Sequence, residues 1–364
     1  MENVQNVTNT AYNVNADGTI NWDATLANYG ISTRKLLKTK IKKHSLPEWA
    51  KGWIALIPAL IFLVVFMLYP ILNTFVMSFV NNFYWVGNSG SSFVLINYFA
   101  ALANARSGVE VSWGIENYIN VILDPVFQSA LLNTGLIVIV SVPLTIIISL
   151  LIAVCLNSIK FLQGFFQTVF FLPYVTNTIA LGMVFSAMFG SSSGGLINAL
   201  FHLGAHNWTN IYADKWSMFL VLVVYSIWNG LAFKILVFMS GLSAIDKQYY
   251  DAARIDGSSK VTIFRKITVP LLSPQILYIT ITSFIGACKA YSQVISVLGA
   301  GDRAGFGGPD KNMWITVVGY VVKLIDSTND SAQGRGAAGC VILLIIVLLI
   351  TLVQTAVSKN RVHY

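Results

Sequence analysis

Few side chains in this sequence have the chemistry for catalysis, and those few do not converge. Asp251 follows Tyr250, and Asp302 closes the string Gly299-Ala300-Gly301-Asp302. Both settings would suit two membrane-embedded carboxylates sharing a proton, but such a pair must lie within a few ångströms. One apolar run, Leu271–Gln293, separates the two residues and puts them on opposite sides of a membrane. Only four His occur, with no H-E-x-x-H zinc motif among them. No G-x-x-x-x-G-K-S/T phosphate loop occurs either, so the chain is not expected to hydrolyse ATP by that route. Catalytic residues, metal ligands and a resident cofactor are not expected. What remains is Lys234 and Lys289, two cations inside apolar runs, the second beside Tyr291, Ser292 and Gln293. A charge in lipid is costly, so each is a functional candidate. Each either snorkels to the nearest interface, lines a solute path, or pairs with another chain.

The elements that must carry these residues are apolar helices. Of 364 residues, 55% are hydrophobic and 10% charged, against roughly a quarter charged in an ordinary soluble protein. Six runs reach the ~20 residues needed to cross a bilayer: Trp53–Phe79, Leu131–Leu156, Phe165–Phe189, Trp216–Leu242, Leu271–Gln293 and Ala337–Val357. The expected fold class is all-α, a polytopic membrane protein with six transmembrane helices. Cys155, Cys288 and Cys340 fall within these runs and read as small buried hydrophobes, not a disulfide framework. The first run is too long for a signal-peptide core and is read as retained.

The net charge of +8 is a topology signal. Fifteen bases flank the runs on one side: Arg34 to Lys51, Lys160, Lys247 to Lys266, and Lys359 with Arg361. The other side receives six bases and eight of the 15 acids. The positive-inside rule then places both termini in the cytoplasm, and nucleic acid is not an expected partner. Residues 1–33, rich in Asn and Thr, read as a disordered tail. Residues 34–52 read as a basic juxtamembrane segment, and 53–358 as the membrane domain. The external connection 80–130 carries an aromatic- and Gly-rich stretch, 83–112, that reads either as an insertion touching an external partner or as a passive loop. The middle of the fifth connection, Met313–Ile325, has apolar residues at helical spacing and reads as a surface helix.

Between the fourth and fifth runs lies a polar island, Tyr249-Tyr250-Asp251-Ala252-Ala253-Arg254-Ile255-Asp256-Gly257, followed by Ile267-Thr268-Val269-Pro270. Tyr249, Ala252, Ala253 and Asp256 share one helical face. Two alanines make that face low enough for another protein to approach. Gly257 suits the left-handed residue after a helix end, and Pro270 suits the first turn of the next span.

The order Asp-Ala-Ala, three residues, Gly, nine residues, Ile-x-Val-Pro resembles the "EAA" signature of bacterial ABC-importer permeases, with Asp for Glu and Val for Leu. Phe171-Leu172-Pro173, Ser226-Ile227-Trp228-Asn229-Gly230, Gly241-Leu242-Ser243-Ala244-Ile245 and Gly307-Gly308-Pro309 extend the likeness over roughly residues 50–358. Its pattern is that of the maltose and glycerol-phosphate type of carbohydrate permease. Asp246 departs from it, standing where that family usually has Pro.

The resemblance implies a permease subunit in the bacterial plasma (inner) membrane, forming half of a pore for a sugar or oligosaccharide. It implies a second permease subunit, two ABC ATPase subunits that bind the ATP, and an extracellular solute-binding protein. Tyr250, Asp251, Ala252, Ala253, Asp256, Gly257, Ile267 and Pro270 would form the ATPase-coupling segment, a cytoplasmic helix. Position by position, Asn229, Gly230, Phe233, Ser283, Gly286, Ala287 and Ala290 would lie on the substrate path. Lys234, Lys289 and Tyr291 join them as polar neighbours within the runs. A secondary transporter or channel is the alternative. It would call for an intramembrane acid to couple an ion, and no Asp or Glu falls in any of the six runs.

Overall fold

A chain in lipid has no water to satisfy its peptide groups, so it must form helices, and it does. The computed structural model describes residues 12–13, 15–30, 47–81, 112–159, 163–191, 195–209, 212–299, 313–326 and 332–358. The basic residues 34–43, the stretch 83–111, Lys160, Asp302, Gly307–Pro309 and Arg361 therefore lie outside the described residues. The chain divides into two units at Pro70–Ile71.

Within the expected tail 1–33, the described residues include a turn at 15–19 and a short helix, α1 (Trp22–Asn28). Asn21 caps α1 by accepting from the Ala24 N–H, and the Thr25 hydroxyl accepts from the Asn13 N–H. These side-chain bonds replace the hydrophobic cluster that the composition lacks. Helix α2 (Glu48–Leu63) then runs through a π-turn, Val64–Leu68, into α3 (Tyr69–Ser78). Trp53, Phe62 and Phe66 are exposed along it, as expected of a helix apolar on every side.

The second unit takes in most of α3 and then a two-residue antiparallel pair, β1 (Val80–Asn81) with β2 (Ser112–Trp113). Helix α4 (Glu116–Leu123) follows, and its Asn117 amide donates to the Ser78 and Val80 carbonyls. Helix α5 (Pro125–Ser158) is capped by Asp124. The third run is broken, not straight: α6 (Gln163–Val175) and α7 (Thr178–Met188) meet at 100°. Pro173 sits in the last full turn of α6. Asn177 restarts the chain by accepting from the Ile179 and Ala180 N–H groups. Tyr225 donates to the Thr178 carbonyl in the first turn of α7.

After a short helix, α8 (Leu196–Leu200), the fourth span is α9 (Lys215–Ala244). Beyond it come α10 (Lys247–Ile255) and α11 (Lys260–Ile263), which passes through a π-turn, Phe264–Thr268, into α12 (Val269–Leu271). This run meets α13 (Ser273–Cys288) at 68°. The last elements are α14 (Ser292–Leu298), α15 (Val317–Ile325) and α16 (Ala332–Ser358). Among the described residues, four helices are long and apolar enough to span a membrane, or up to six if each bent pair is one span.

Among the described residues, the two larger apolar cores of the second unit lie along α5 and α9, with a smaller one around Val138, Val142 and Cys288. Of the larger two, one joins Phe127, Ile137, Phe185, Leu222, Tyr225, Trp314 and Tyr320, and the other joins Leu150, Leu156, Ile235, Phe238, Leu242, Leu272 and Ile279. Met313–Ile325 is not a surface helix. Trp314, Ile315, Val317 and Tyr320 are buried: Trp314 stacks on Phe219 of α9, and Gly336 and Gly339 of α16 let Tyr320, Val321, Leu324 and Ile325 of α15 approach. Asn133 donates to the Met313 and Ile315 carbonyls, and Tyr320 donates to Asp124 at 2.8 Å. Burial first, and then that bond, raises the Tyr320 hydroxyl pKa above the ordinary phenol range.

Hydroxyls within the spans return their protons to their own helices, as Thr134 to Ala130 and Thr280 to Ile276. Where α7 meets α14, Gly182 leaves no room for a side chain. A Cβ there would lie 3.1 Å from the Ser296 carbonyl carbon and closer still to its side chain. Gly182→Leu should therefore cost about 1–3 kcal/mol and lower the melting temperature in detergent. Gly135→Ala, whose Cβ meets nothing within 4 Å, should not lower that temperature, since alanine is the better helix former.

Candidate functional site

Two places gather the residues singled out from the sequence. The first is the exposed turn built by α10 and α11. Asp246, the departure from the resembled pattern, caps α10 by accepting from the Gln248 N–H at 3.0 Å. Asp is a preferred N-cap, so the helix begins without the proline. At the other end Gly257 has φ +72°. Its N–H donates to the Arg254 carbonyl, and the Ser258 N–H donates to the Ala253 carbonyl. This is a Schellman end, which needs a left-handed residue and so favours glycine. Ser259 then caps α11 through the Thr262 N–H.

On α10, Tyr249, Asp251, Ala252 and Asp256 face solvent, whereas Ala253 is buried. The face read from sequence thus loses Ala253, which packs inward, and gains Ile255. Tyr249 is 57% exposed, Ile255 87% and Val261 67%, an uncovered apolar surface beside polar neighbours. The Asp251–Arg254 pair, 3.4 Å apart and largely exposed, adds little stability. Tyr250 ties the helix to the next element through Thr268, 3.3 Å away.

Ile267 lies in the π-turn, half-buried. Pro270 does not open the span, because the helical run already starts at Lys260. Proline lacks an N–H and crowds the carbonyl four residues back. The wide turn before it, with the Val269 N–H reaching back to Phe264, accommodates it. Val64–Leu68 does the same before Pro70.

The second place is a cleft of about 300 Å³ between α5, α9 and α13. Asn229, Gly230, Phe233, Lys234, Ser283, Gly286 and Ala287, all singled out from the sequence, line it. Gly230 leaves room there: a Cβ would lie 3.0 Å from the Lys234 Nζ and 3.2 Å from a Thr145 methyl, a tight fit that the two would have to yield to. Lys234 donates to the Gly230 carbonyl at 3.0 Å. Phe233 stacks on Tyr174, with ring centroids 5.9 Å apart.

Lys289, Ala290 and Tyr291 are not among the lining residues. Helix α13 ends at Cys288, and Thr316 holds the turn by donating to the Ala290 carbonyl. That turn leaves Lys289 exposed, buries Ala290, and sends Tyr291 into the start of α14. Ser141, Thr145, Ser226, Thr282 and Gln293 also line the cleft, and sequence reasoning missed them. The available signal was the hydroxyl spacing of four between Ser141 and Thr145, which puts both on one face of α5.

Comparison with known proteins places this geometry. Residues 141–363 match the family described as binding-protein-dependent transport system inner membrane component. The arabinooligosaccharides transport system permease protein AraP of Bacillus subtilis is 32% identical over 314 residues, 83% of this chain and 87% of the relative. The lactose transport system permease protein LacF of Rhizobium radiobacter is 30% identical over 315 residues, 85% of this chain and 94% of the relative. A solved bacterial alginate ABC transporter, in complex with an alginate pentasaccharide-bound periplasmic protein, contains a similar chain. The likeness has a TM-score of 0.67 at 16% identity, over 85% of this chain and 94% of that one. At that identity the likeness is one of fold. The family match and the identity to AraP together establish that this chain belongs to the family of binding-protein-dependent transport system inner membrane components.

Proposed function

We propose that this permease carries a sugar or oligosaccharide through the cleft between α5, α9 and α13, and that the α10–α11 turn is its coupling segment. Two ABC ATPase subunits dock on that turn, a second permease completes the pore, and an external binding protein delivers the solute. Both termini lie in the cytoplasm. The observation that carries the coupling is the uncovered apolar set Tyr249, Ile255 and Val261 on a turn locked by Gly257. Such a surface on a short capped helix fits a groove in a partner. The names of AraP and LacF, with the hydroxyl- and amide-lined cleft, support the sugar.

The turn sits at the end of α9, the helix that also carries Asn229 to Lys234. Gly241 of α9 would bring a Cβ to 2.8 Å from Leu272, at the head of α13. Pressure on the turn therefore reaches two walls of the cleft through packed elements. ATP-driven closure of the ATPases would shift the population between inward- and outward-facing forms.

Gly257→Pro should abolish ATP-driven uptake in proteoliposomes of the whole complex while leaving membrane insertion intact, because proline is fixed near φ −65°. Normal uptake by this variant removes the docking role. Gly257→Ala should reduce uptake only in part, with a left-handed strain of about 1–2 kcal/mol. Separately, a cysteine at Ile255 should form a crosslink to an ATPase subunit in native membranes, whereas one at Leu132 on α5 should not. Equal crosslinking at both positions would mean that the exposed apolar set has no specific partner.

A further inference from the structure

We infer that the substrate is an acidic sugar, whose carboxylate is held in the cleft by Lys234. This rests on the reading that the cleft lies on the solute path. The position of the amine carries the inference. Lys234 lies ten residues from Ala244, the nearer end of α9. A snorkelling lysine would extend toward that end. Instead the side chain folds back to the Gly230 carbonyl, toward the middle of the helix and into the cleft. Glycine at 230 leaves the space in which the amine lies.

An ammonium has three protons to donate, and one is used on Gly230. Among the described residues no Asp or Glu lines the cleft, and no acid falls in the apolar runs that build it. A sheltered charge without a counter-ion is costly, so the cleft has a reason to take up an anion. The other groups suit the rest of a sugar. Ser141 and Thr145 spend their protons on the Ile137 and Ser141 carbonyls, leaving lone pairs to accept from sugar hydroxyls. Asn229 and Gln293 offer amides. The buried Ser226 hydroxyl has no hydrogen-bond partner among the described residues. The cleft volume of about 300 Å³ is at the lower end for a ligand pocket, as expected of one half of a pore. One fixed positive charge matches a single carboxylate better than a doubly charged phosphate.

The test is calorimetric titration of the whole complex in nanodiscs. The probes are uronic-acid disaccharides, their neutral counterparts and a sugar phosphate. The expected result is that a uronic-acid disaccharide binds about tenfold or more tighter than its neutral partner, with the sugar phosphate weaker. Lys234→Met should abolish that preference, and Lys234→Arg should keep it. Equal or tighter binding of the neutral sugar overturns the inference. So does a preference that survives in Lys234→Met, a sugar phosphate as the tightest ligand, or no binding of any probe at millimolar concentration. Failure here, with ATP-driven uptake still lost in Gly257→Pro, leaves the importer reading standing. Loss of the importer reading would show instead as uptake without ATP.

Discussion

Everything in this protein depends on one constraint: a peptide group in hydrocarbon must find its partner within the protein. Helices meet it along their length, and the departures are where structure becomes informative. The third span breaks at 100°, but Asn177 caps the new start and Tyr225 donates to the Thr178 carbonyl in its first turn. The fifth bends by 68° after a π-turn that makes room for Pro270. Asn133 gives both amide protons to the chain at Met313 and Ile315, which enters the apolar core without a full helix to satisfy it. Each break is held by a named side chain or a widened turn, so the bends are built features of the fold.

The same constraint explains what the sequence made legible. The six apolar runs all became helical, since length and hydrophobicity leave no other choice in lipid. The end of α10 was readable because Gly257 is the residue a left-handed turn demands. Boundaries set by tertiary contacts were not readable. Pro270 looked like a span opening, yet it falls near the end of the helical run that begins at Lys260. Ala253 belongs to the predicted face by spacing, but packing turns it inward. Lys289 to Tyr291 leave the cleft because Thr316, 26 residues downstream of Ala290, anchors the chain there. Cleft residues on α5 were silent because a hydroxyl bonded to its own helix looks the same in sequence whether or not its other side meets a ligand.

The long fourth span links the two candidate sites. Its middle supplies Asn229, Gly230, Phe233 and Lys234 to the cleft, and its end leads through the Asp246 cap into the exposed turn. The two packed regions, one around Trp314 and one around Leu272, grip this helix at different heights. A force on the turn then has a stiff route to the cleft, with the close Gly241–Leu272 approach as the contact through which α13 follows.

The most direct measurement of that link is the accessibility of the cleft in the whole complex. A single cysteine at Ser283, with Cys155, Cys288 and Cys340 replaced, can be labelled by a membrane-impermeant thiol reagent added from the external side. Labelling should be slow without nucleotide and rise about tenfold or more when the ATPases are trapped closed on ATP, if docking at the turn moves the walls of the cleft. Labelling that is the same with and without ATP would contradict the account.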